Sequence, residues 1–150
     1  MKIGDFSQPY PVTVTREESL QVAAQRMREH HVGDVVVVEP LGGRSRPVGM
    51  LTDRDIVIEV LAPGLDPLSV NVGDVMSTRL VTTTVDSTMD EVIELMHSEG
   101  VRRVPVVDDS GALVTVISID DLLGLVAAQA AQLYSLVLRG REREVTSRNP

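Results

Sequence analysis

The feature that most constrains the fold of this chain is an internal duplication. The four-valine run Val35–Val38 in the first half corresponds to Val104–Val107 in the second, and Thr52-Asp53-Arg54-Asp55 corresponds to Ser118-Ile119-Asp120-Asp121. A short duplicated unit usually packs face to face with its copy, and the seam between the copies is a natural place for a ligand. We therefore expect the function of the chain to reside at this seam.

Composition narrows the classes of function open to the chain. Hydrophobic residues make up 43% of its 150 residues but aromatic residues only 2%, so there is no aromatic platform for stacking single-stranded nucleic acid. A net charge of −8 argues against DNA or RNA binding, because counterion release requires a basic surface. The absence of Cys excludes disulfides and thiolate sites and fits a cytoplasmic location.

The two copies show the same order of predicted elements. An extended segment, Pro11–Thr15 or Leu80–Val85, precedes a helix whose apolar residues recur at helical spacing. The apolar face consists of Leu20, Ala23, Ala24 and Met27 in the first copy and of Met89, Val92, Ile93 and Met96 in the second. In the second copy, Thr88 and Glu91 form a predicted capping box at the helix start.

Two strands joined by a short turn follow in each copy, and a second helix closes the unit. The strands are predicted at Val35–Val38 with Val48–Leu51 and at Val104–Val107 with Leu113–Ile117, each pair antiparallel. The predicted fold class is α/β (α+β), with two β-α-β-β-α repeats related by pseudo-twofold symmetry and an extended C-terminal helix. A linker rich in Pro and Gly, Ala62–Pro67, separates the copies. The predicted divisions are residues 1–65 for the first repeat with its N-terminal segment, 66–125 for the second, and 126–150 for a helical extension and flexible tail.

An uncharged stretch, Leu122–Leu138, dominates the last helix, which we expect to end at Gly140 before a loose tail, Arg141–Pro150. This stretch is shorter than the ~20 residues needed to span a bilayer, and Gln129 and Gln132 interrupt it. We therefore expect no membrane span. We expect instead that the helix buries its apolar surface on another subunit.

The repeated tetrapeptide carries the candidate site. In each copy a buried strand delivers a hydroxyl, Thr52 or Ser118, to a helix start, and a carboxylate, Asp55 or Asp121, follows three residues later. One interpretation is a helix cap worth ~1 kcal/mol. The other is a nucleotide site, in which the hydroxyl and the first free N–H groups face a phosphate and the aspartate accepts hydrogen bonds from a ribose. The two interpretations are compatible, and the residues leave both open.

Two adjacent arginines distinguish the copies. Arg102-Arg103 stands where the first copy has Gly33-Asp34. In so acidic a chain, this pair is a candidate anion clamp. A solvated pair that bridges to Asp108, Asp109 or the neighbouring helix is an equal alternative. If the strands alternate across the pseudo-twofold axis, one seam site contains the arginines and the other contains Gly33 and Asp34.

Other residues bear on access and chemistry. Gly49 is expected to let a ligand approach the backbone closely, whereas the matching position in the second copy is Thr115. The chain has no His-acid spacing typical of metal ligands and no nucleophile elbow, dinucleotide fingerprint or Walker loop. We therefore expect neither a metal nor an enzyme.

The series Gly100-Val101-Arg102-Arg103-Val104-Pro105-Val106-Val107-Asp108, followed by Ile117-Ser118-Ile119-Asp120-Asp121, resembles the CBS domain family. The first copy repeats this order through Gly49-Met50-Leu51-Thr52-Asp53-Arg54-Asp55-Ile56. The chain thus looks like a tandem CBS pair, or Bateman module, over about Pro9 to Leu123. The resemblance implies that an adenosyl ligand such as AMP, ADP, ATP, NAD or S-adenosylmethionine binds in the cleft between the repeats.

The resemblance also implies two unequal sites. The principal nucleotide-binding site would comprise Met50, Thr52, Arg54, Asp55, Val81, Thr82, Arg102, Arg103, Val104 and Pro105. A secondary, weak site would comprise Pro11, Val12, Gly33, Asp34, Ile117, Ser118 and Asp121. In the secondary site Asp34 would repel phosphate, and Thr115 replaces the usual Gly.

The function expected from this resemblance is that of a non-catalytic regulatory module. It would bind an adenine nucleotide, AMP first among the adenosyl ligands, without requiring a metal. It would signal through conformational change of a homodimer to an enzyme or transporter partner. The alternative is a ligand-free CBS dimerisation or scaffold module that acts on a partner protein.

Overall fold

A computed structural model of the chain describes residues 1–6 and 9–148. The first half contains a 3₁₀ turn (Ile3–Asp5), β1 (Thr13–Val14), α1 (Leu20–His30), β2 (Asp34–Leu41), β3 (Arg44–Thr52) and α2 (Asp53–Ile56), which continues as a π-helix (Val57–Leu61). The second half contains α3 (Val72–Val75), β4 (Thr83–Thr84), α4 (Met89–Glu99), β5 (Arg103–Val107), β6 (Leu113–Ser118) and α5 (Ile119–Arg148). The strands form two three-stranded sheets in the orders β1-β2-β3 and β4-β5-β6. The predicted fold class is confirmed.

The β2–β3 hairpin places the candidate site at its open end. The hairpin turns at Gly42 and Gly43, whose φ angles of 52° and 81° require residues that tolerate positive φ. β2 pairs antiparallel with β3 from Leu41 opposite Arg44 to Asp34 opposite Thr52, and β1 pairs parallel with β2. Asp34 and Thr52 therefore lie side by side at the end of the sheet remote from the turn.

The two faces of the first sheet have different neighbours. One face packs with the buried residues of α1, including Leu20, Ala23 and Met27, as the predicted apolar face requires. The residues of β2 that point the other way, Val36 and Val38, pack with Leu113 of the second repeat. This alternation along β2 explains why all four valines are buried. In α4 the predicted face is only partly buried, because Ile93 is exposed.

The segment that precedes each repeat in sequence docks onto the other repeat. The backbone N–H groups of Ile3 and Gly4 donate to the carbonyl oxygens of Ser87 and Val85, at 2.8 and 2.9 Å. In the same way Val72 and Gly73 donate to Glu18 and Arg16, at 2.9 and 3.0 Å. Ile3 and Val72 are both buried. Ile3 and Gly4, which the predicted division assigns to the first repeat, therefore donate their backbone hydrogen bonds to the second.

The chain divides into two compact units, the first comprising Met1–Ile117 and the second beginning at Ser118. The second unit consists of α5, which continues through Arg148 and does not end at Gly140 as predicted. Gly costs only about 1 kcal/mol relative to Ala in a helix interior, and the strong helix formers Arg141–Glu144 follow it. Asn149 and Pro150, the end of the predicted loose tail, lie outside the described residues. The three-part division by residue number stays a prediction.

α5 is also the one helix of the described chain that is long and apolar enough to cross a membrane, judged by length and composition. That test does not separate a membrane helix from a helix that pairs with protein. The uncharged part of the helix, Leu122–Leu138, remains shorter than the ~20 residues of a typical span.

Candidate functional site

Thr52 and Asp55 form a reciprocal helix cap at the end of β3. The backbone N–H of Asp55 donates to Thr52 Oγ1 at 3.1 Å, and the backbone N–H of Thr52 donates to Asp55 Oδ2 at 2.9 Å. Thr52 is extended, with φ −110° and ψ 161°, as a residue preceding a helix should be. The capping interpretation is therefore confirmed for this copy. The cap leaves the Thr52 hydroxyl proton available for donation and holds the Asp55 carboxylate at the sheet end.

The matching pair in the second copy is also a cap. Asp121 N–H donates to Ser118 Oγ at 3.1 Å, and Ser118 N–H donates to Asp121 Oδ2 at 2.8 Å. The Ser118 hydroxyl additionally donates to the same carboxylate oxygen at 2.6 Å. The two copies thus share a cap geometry, but the hydroxyl proton is used within the pair only in the second copy.

Asp34 is a largely buried acid at the open end of the first sheet. It lies opposite Thr52 in the sheet register, and its side chain is 15% exposed. Burial raises its pKa above the ordinary aspartate value, the nearby Arg103 guanidinium opposes that rise, and the Asp53 carboxylate adds to it. A cation beside this carboxylate therefore favours its charged form against the effect of burial.

Arg103 supplies this cation. Its Nε lies 3.1 Å from Asp34 Oδ1, so an ion pair joins β5 of the second repeat to β2 of the first. The neighbouring Arg102 is exposed and forms no ion pair with any residue in the described ranges. Asp108, which the sequence offers as an alternative partner for the arginines, instead pairs with Arg44.

This ion pair changes how the two predicted sites divide. The sequence placed Arg103 in the principal site and Asp34 in the secondary site, but the two side chains are in contact. Because Asp34 also lies beside Thr52, the acid expected to disfavour phosphate in the secondary site borders the principal one. Arg103 and Asp34 occupy equivalent positions in the two repeats and contact each other. The arginine and the acid are therefore not divided between two separate sites as predicted.

The expected role of Gly49 is corrected. A methyl group at this position would lie 2.7 Å from the Ser77 carbonyl oxygen and 3.1 Å from Met76 Sδ. Met50 and Ser77 exchange two backbone hydrogen bonds, at 3.2 and 2.9 Å. Gly49 therefore makes room for the chain's own segment at the edge of β3, and that segment occupies the approach predicted for a ligand.

Several other predicted site residues lie in or near the core. Val104 and Ile117 are each 0% exposed, and Pro105 is buried, so these residues form the strands that support the site. Met50, Val81, Pro11 and Val12 are partly buried, while Thr82 and Arg54 are exposed. Whether any of them contacts a ligand stays a prediction.

Sequence reasoning missed the role of Asp53. Its backbone N–H donates to the Gly33 carbonyl oxygen at 2.9 Å, and a methyl group at Gly33 would lie 3.0 Å from Asp53 Oδ2. Because Gly33 has no side chain, the Asp53 carboxylate fits beside it. Asp34, Asp53 and Asp55 therefore all lie at one end of the sheet. The predicted pairing of the two strands places Gly33-Asp34 beside Thr52-Asp53, and this pairing could have predicted the cluster of aspartates.

The described residues offer no ready metal centre. Over residues 1–6 and 9–148 there is no group of three or more His, Cys, Asp or Glu side chains placed to hold a metal ion. The three clustered aspartates are spread along the sheet end and use their oxygens in the cap, the ion pair and a hydrogen bond with Arg54 N–H.

Comparison with known proteins decides the family. The model of the CBS domain matches the chain twice, over residues 3–62 and 72–128. This chain belongs to the CBS domain family. The two matches make it a tandem CBS pair, and the structure has the mixed α/β architecture of such pairs.

The CBS pair has relatives among bacteria and archaea. It is 34% identical over 123 residues to the uncharacterized protein MK0525 of Methanopyrus kandleri, covering 82% of this chain and 61% of that protein. It is 40% identical over 96 residues to hypoxic response protein 1 of Mycobacterium tuberculosis, covering 64% of this chain and 65% of that protein. The chain thus spans less than two thirds of the length of these relatives.

Solved structures share the fold and carry ligands of two kinds. A crystal structure of Hypoxic Response Protein I with two coordinated zinc ions has 33% identity and a TM-score of 0.70, covering 82% of this chain and 97% of that one. The CBS domain protein PAE2072 from Pyrobaculum aerophilum, complexed with AMP, has 25% identity and a TM-score of 0.71, covering 81% and 89%. The first of these structures corrects the cofactor expectation. The prediction that only an adenine nucleotide binds and that no metal is required was wrong, because this related pair coordinates two zinc ions.

Proposed function

We propose that this CBS pair is a non-catalytic sensor that binds an adenosyl compound beside Thr52 and Asp55 and converts binding into a change in how its repeats are joined. The observation that carries the proposal is the Arg103–Asp34 ion pair at the sheet end where Thr52 and Asp55 lie. The AMP complex of the related PAE2072 supports the choice of ligand class.

The side chains at this sheet end suit an adenosyl compound in complementary ways. The Asp55 carboxylate is held in place by the cap and can accept hydrogen bonds from ribose hydroxyls. The Thr52 hydroxyl can donate to an anionic oxygen, and the exposed Arg54 and Arg102 add positive charge nearby in sequence and fold.

The ion pair provides the means of signalling. Asp34 and an anionic ligand compete for the Arg103 guanidinium, because a bidentate pair with the ligand through Nε uses the donor that Asp34 now contacts. A ligand that draws Arg103 away from Asp34 removes a link between the two repeats. Such a ligand binds one arrangement of the repeats better than the other, which is the condition for a population shift.

The proposal is tested by thermal unfolding of the full chain with AMP, ATP, NAD and S-adenosylmethionine, each with zinc and with a chelator. A ligand that binds only the folded chain stabilises it by about 2.7 kcal/mol at a hundredfold excess over Kd. At least one compound is expected to raise the melting temperature. Absence of any shift under both conditions would overturn the proposal.

A pair of variants locates the site. Asp55→Asn keeps an oxygen that can accept the Thr52 N–H, so the cap survives, but it removes the charge that favours ribose binding. Asp121→Asn makes the same change in the other copy and serves as the matched control. Asp55→Asn is expected to lose most of the ligand shift and Asp121→Asn to keep it, and equal losses would contradict the assignment of the principal site.

A scaffold function is the second candidate, because α5 presents unpartnered apolar side chains, among them Leu133 and Tyr134, at 67% and 63% exposure. A scaffold would use this helix without responding to any adenosyl compound. It is therefore the function left if every ligand fails in the unfolding assay.

A further inference from the structure

α5 carries an apolar seam whose side chains are exposed. Leu123, Val126, Ala130, Leu133 and Val137 recur at alternating spacings of three and four residues, the pattern of a and d positions in a coiled coil. Leu123 is 61% exposed and Val126 is 48% exposed, and Leu133 and Val137 are likewise exposed. So large an apolar stripe on a helix marks an interaction surface.

The composition around the helix favours a protein partner over lipid. A helix surrounded by lipid is apolar on all sides, whereas here the polar residues Gln132 and Ser135 interrupt the face opposite the seam. A seam of apolar residues at heptad spacing fits a second helix that carries a seam of the same kind.

The charges beside the seam indicate which helix is the partner and in which direction it lies. Asp120 and Arg141 are both exposed and lie three heptads apart, on the same flank of the seam. In an antiparallel pair of α5 helices, Asp120 of each copy lies opposite Arg141 of the other. A parallel pair would instead place the two Glu144 carboxylates together, because Glu144 follows Val137 by one heptad on the seam.

Side-chain size agrees with the charges. The antiparallel register that pairs Asp120 with Arg141 puts the small Ala130 opposite Leu133, and Val126 opposite Val137. The small Ala130 then faces the large Leu133, and two valines share the neighbouring layer, so that both layers can fill without a cavity. A parallel pair would place Ala130 against Ala130 and leave a gap.

We propose that α5 pairs with α5 of a second copy of this chain as an antiparallel two-stranded coiled coil. The pairing requires no ligand, and it can therefore hold or fail independently of adenosyl binding.

Disulfide trapping tests both partner and direction, because the chain has no cysteine of its own. Full-length V126C and V137C chains, distinguished by a tag, are co-expressed and oxidised. The antiparallel coil predicts a disulfide between the two different chains. A chain carrying Q132C, on the opposite face, is the control and is expected to form at least tenfold less disulfide.

Substitutions in and beside the seam complete the test. Leu133→Glu is expected to reduce the mixed disulfide at least tenfold, whereas Ser135→Glu on the opposite face leaves it unchanged. Circular dichroism confirms that both variants keep their helix content. Arg141→Asp is expected to reduce the yield, and the double variant D120R/R141D to restore it.

Three results would overturn the proposal. Disulfides only between identical chains would show a parallel pair, and yields no higher than the Q132C control would show no pair. Co-flotation of the chain with phosphatidylcholine vesicles, abolished by Leu133→Glu, would assign the seam to a membrane.

Discussion

The edge of β3 offers a direct test of the contact between Gly49 and the segment that follows the first repeat. Replacing Gly49 with Ala would place a methyl group 2.7 Å from the Ser77 carbonyl oxygen, closer than a Cβ approaches a backbone atom in folded proteins. Either β3 or the Met76-Ser77 segment must move. The first interactions lost are the two backbone hydrogen bonds between Met50 and Ser77, at 3.2 and 2.9 Å.

The size of the effect follows from these two bonds. Each contributes about 1 kcal/mol to stability, and replacing Gly by Ala recovers about 0.5 kcal/mol by restricting the unfolded chain. The net loss is about 1.5 kcal/mol in the free energy of unfolding. For a domain of this size that corresponds to a fall of roughly 3–6 °C in melting temperature.

Gly33 provides the matched comparison for this measurement. A methyl group there would meet a carboxylate oxygen of Asp53 at 3.0 Å, and that side chain can rotate away while the Ser77 carbonyl cannot. Urea unfolding of both variants is expected to show a clearly larger loss for Gly49→Ala than for Gly33→Ala. The reasoning is refuted if Gly49→Ala is as stable as the wild type or if Gly33→Ala is the less stable of the two.

Two further predictions concern Asp34 and α5. Because the pKa of Asp34 is raised by burial, its contribution to stability is fully present below the unfolded aspartate pKa and is lost as pH rises through the folded pKa. Urea unfolding against pH should therefore show wild type losing stability relative to Asp34→Asn as pH rises through this window, and a constant difference would contradict it. Gly140→Ala should raise helix content and add about 1 kcal/mol to the local stability of α5. Circular dichroism that shows no gain in helix would mean that the helix does not continue past this residue.

Local patterns in the sequence predicted the repeat architecture well, because each strand and each helix cap is determined by residues that are close together in the sequence. The valine runs became β2 and β5, and the hydroxyl–carboxylate pairs Thr52/Asp55 and Thr88/Glu91 became helix caps. α5 runs past its predicted end because the helix formers that follow Gly140 outweigh the low helix propensity of that residue. A single Gly lowers helix propensity without ending a helix.

The candidate site was harder to predict because it depends on which residues meet across the fold. Gly49 suggested an opening, but only the chain path through Met76 and Ser77 shows what fills it. Likewise, the residue types of Asp34 and Arg103 suggested opposite sites, whereas the packing of the repeats brings them together. One missed signal was available: Ile3-Gly4-Asp5 and Val72-Gly73-Asp74 are the same motif, so the duplication extends almost to the first residue.

The reciprocal docking of Ile3 and Val72 bears on how such a chain can be divided or can have arisen. Neither half contains all of its own backbone partners, so a gene fragment encoding one half alone would yield a protein that lacks an arm. Two copies of such a fragment could supply each other's missing arm and rebuild the arrangement as a domain-swapped dimer. Fusion of two such genes would then have converted a contact between molecules into one within a single polypeptide.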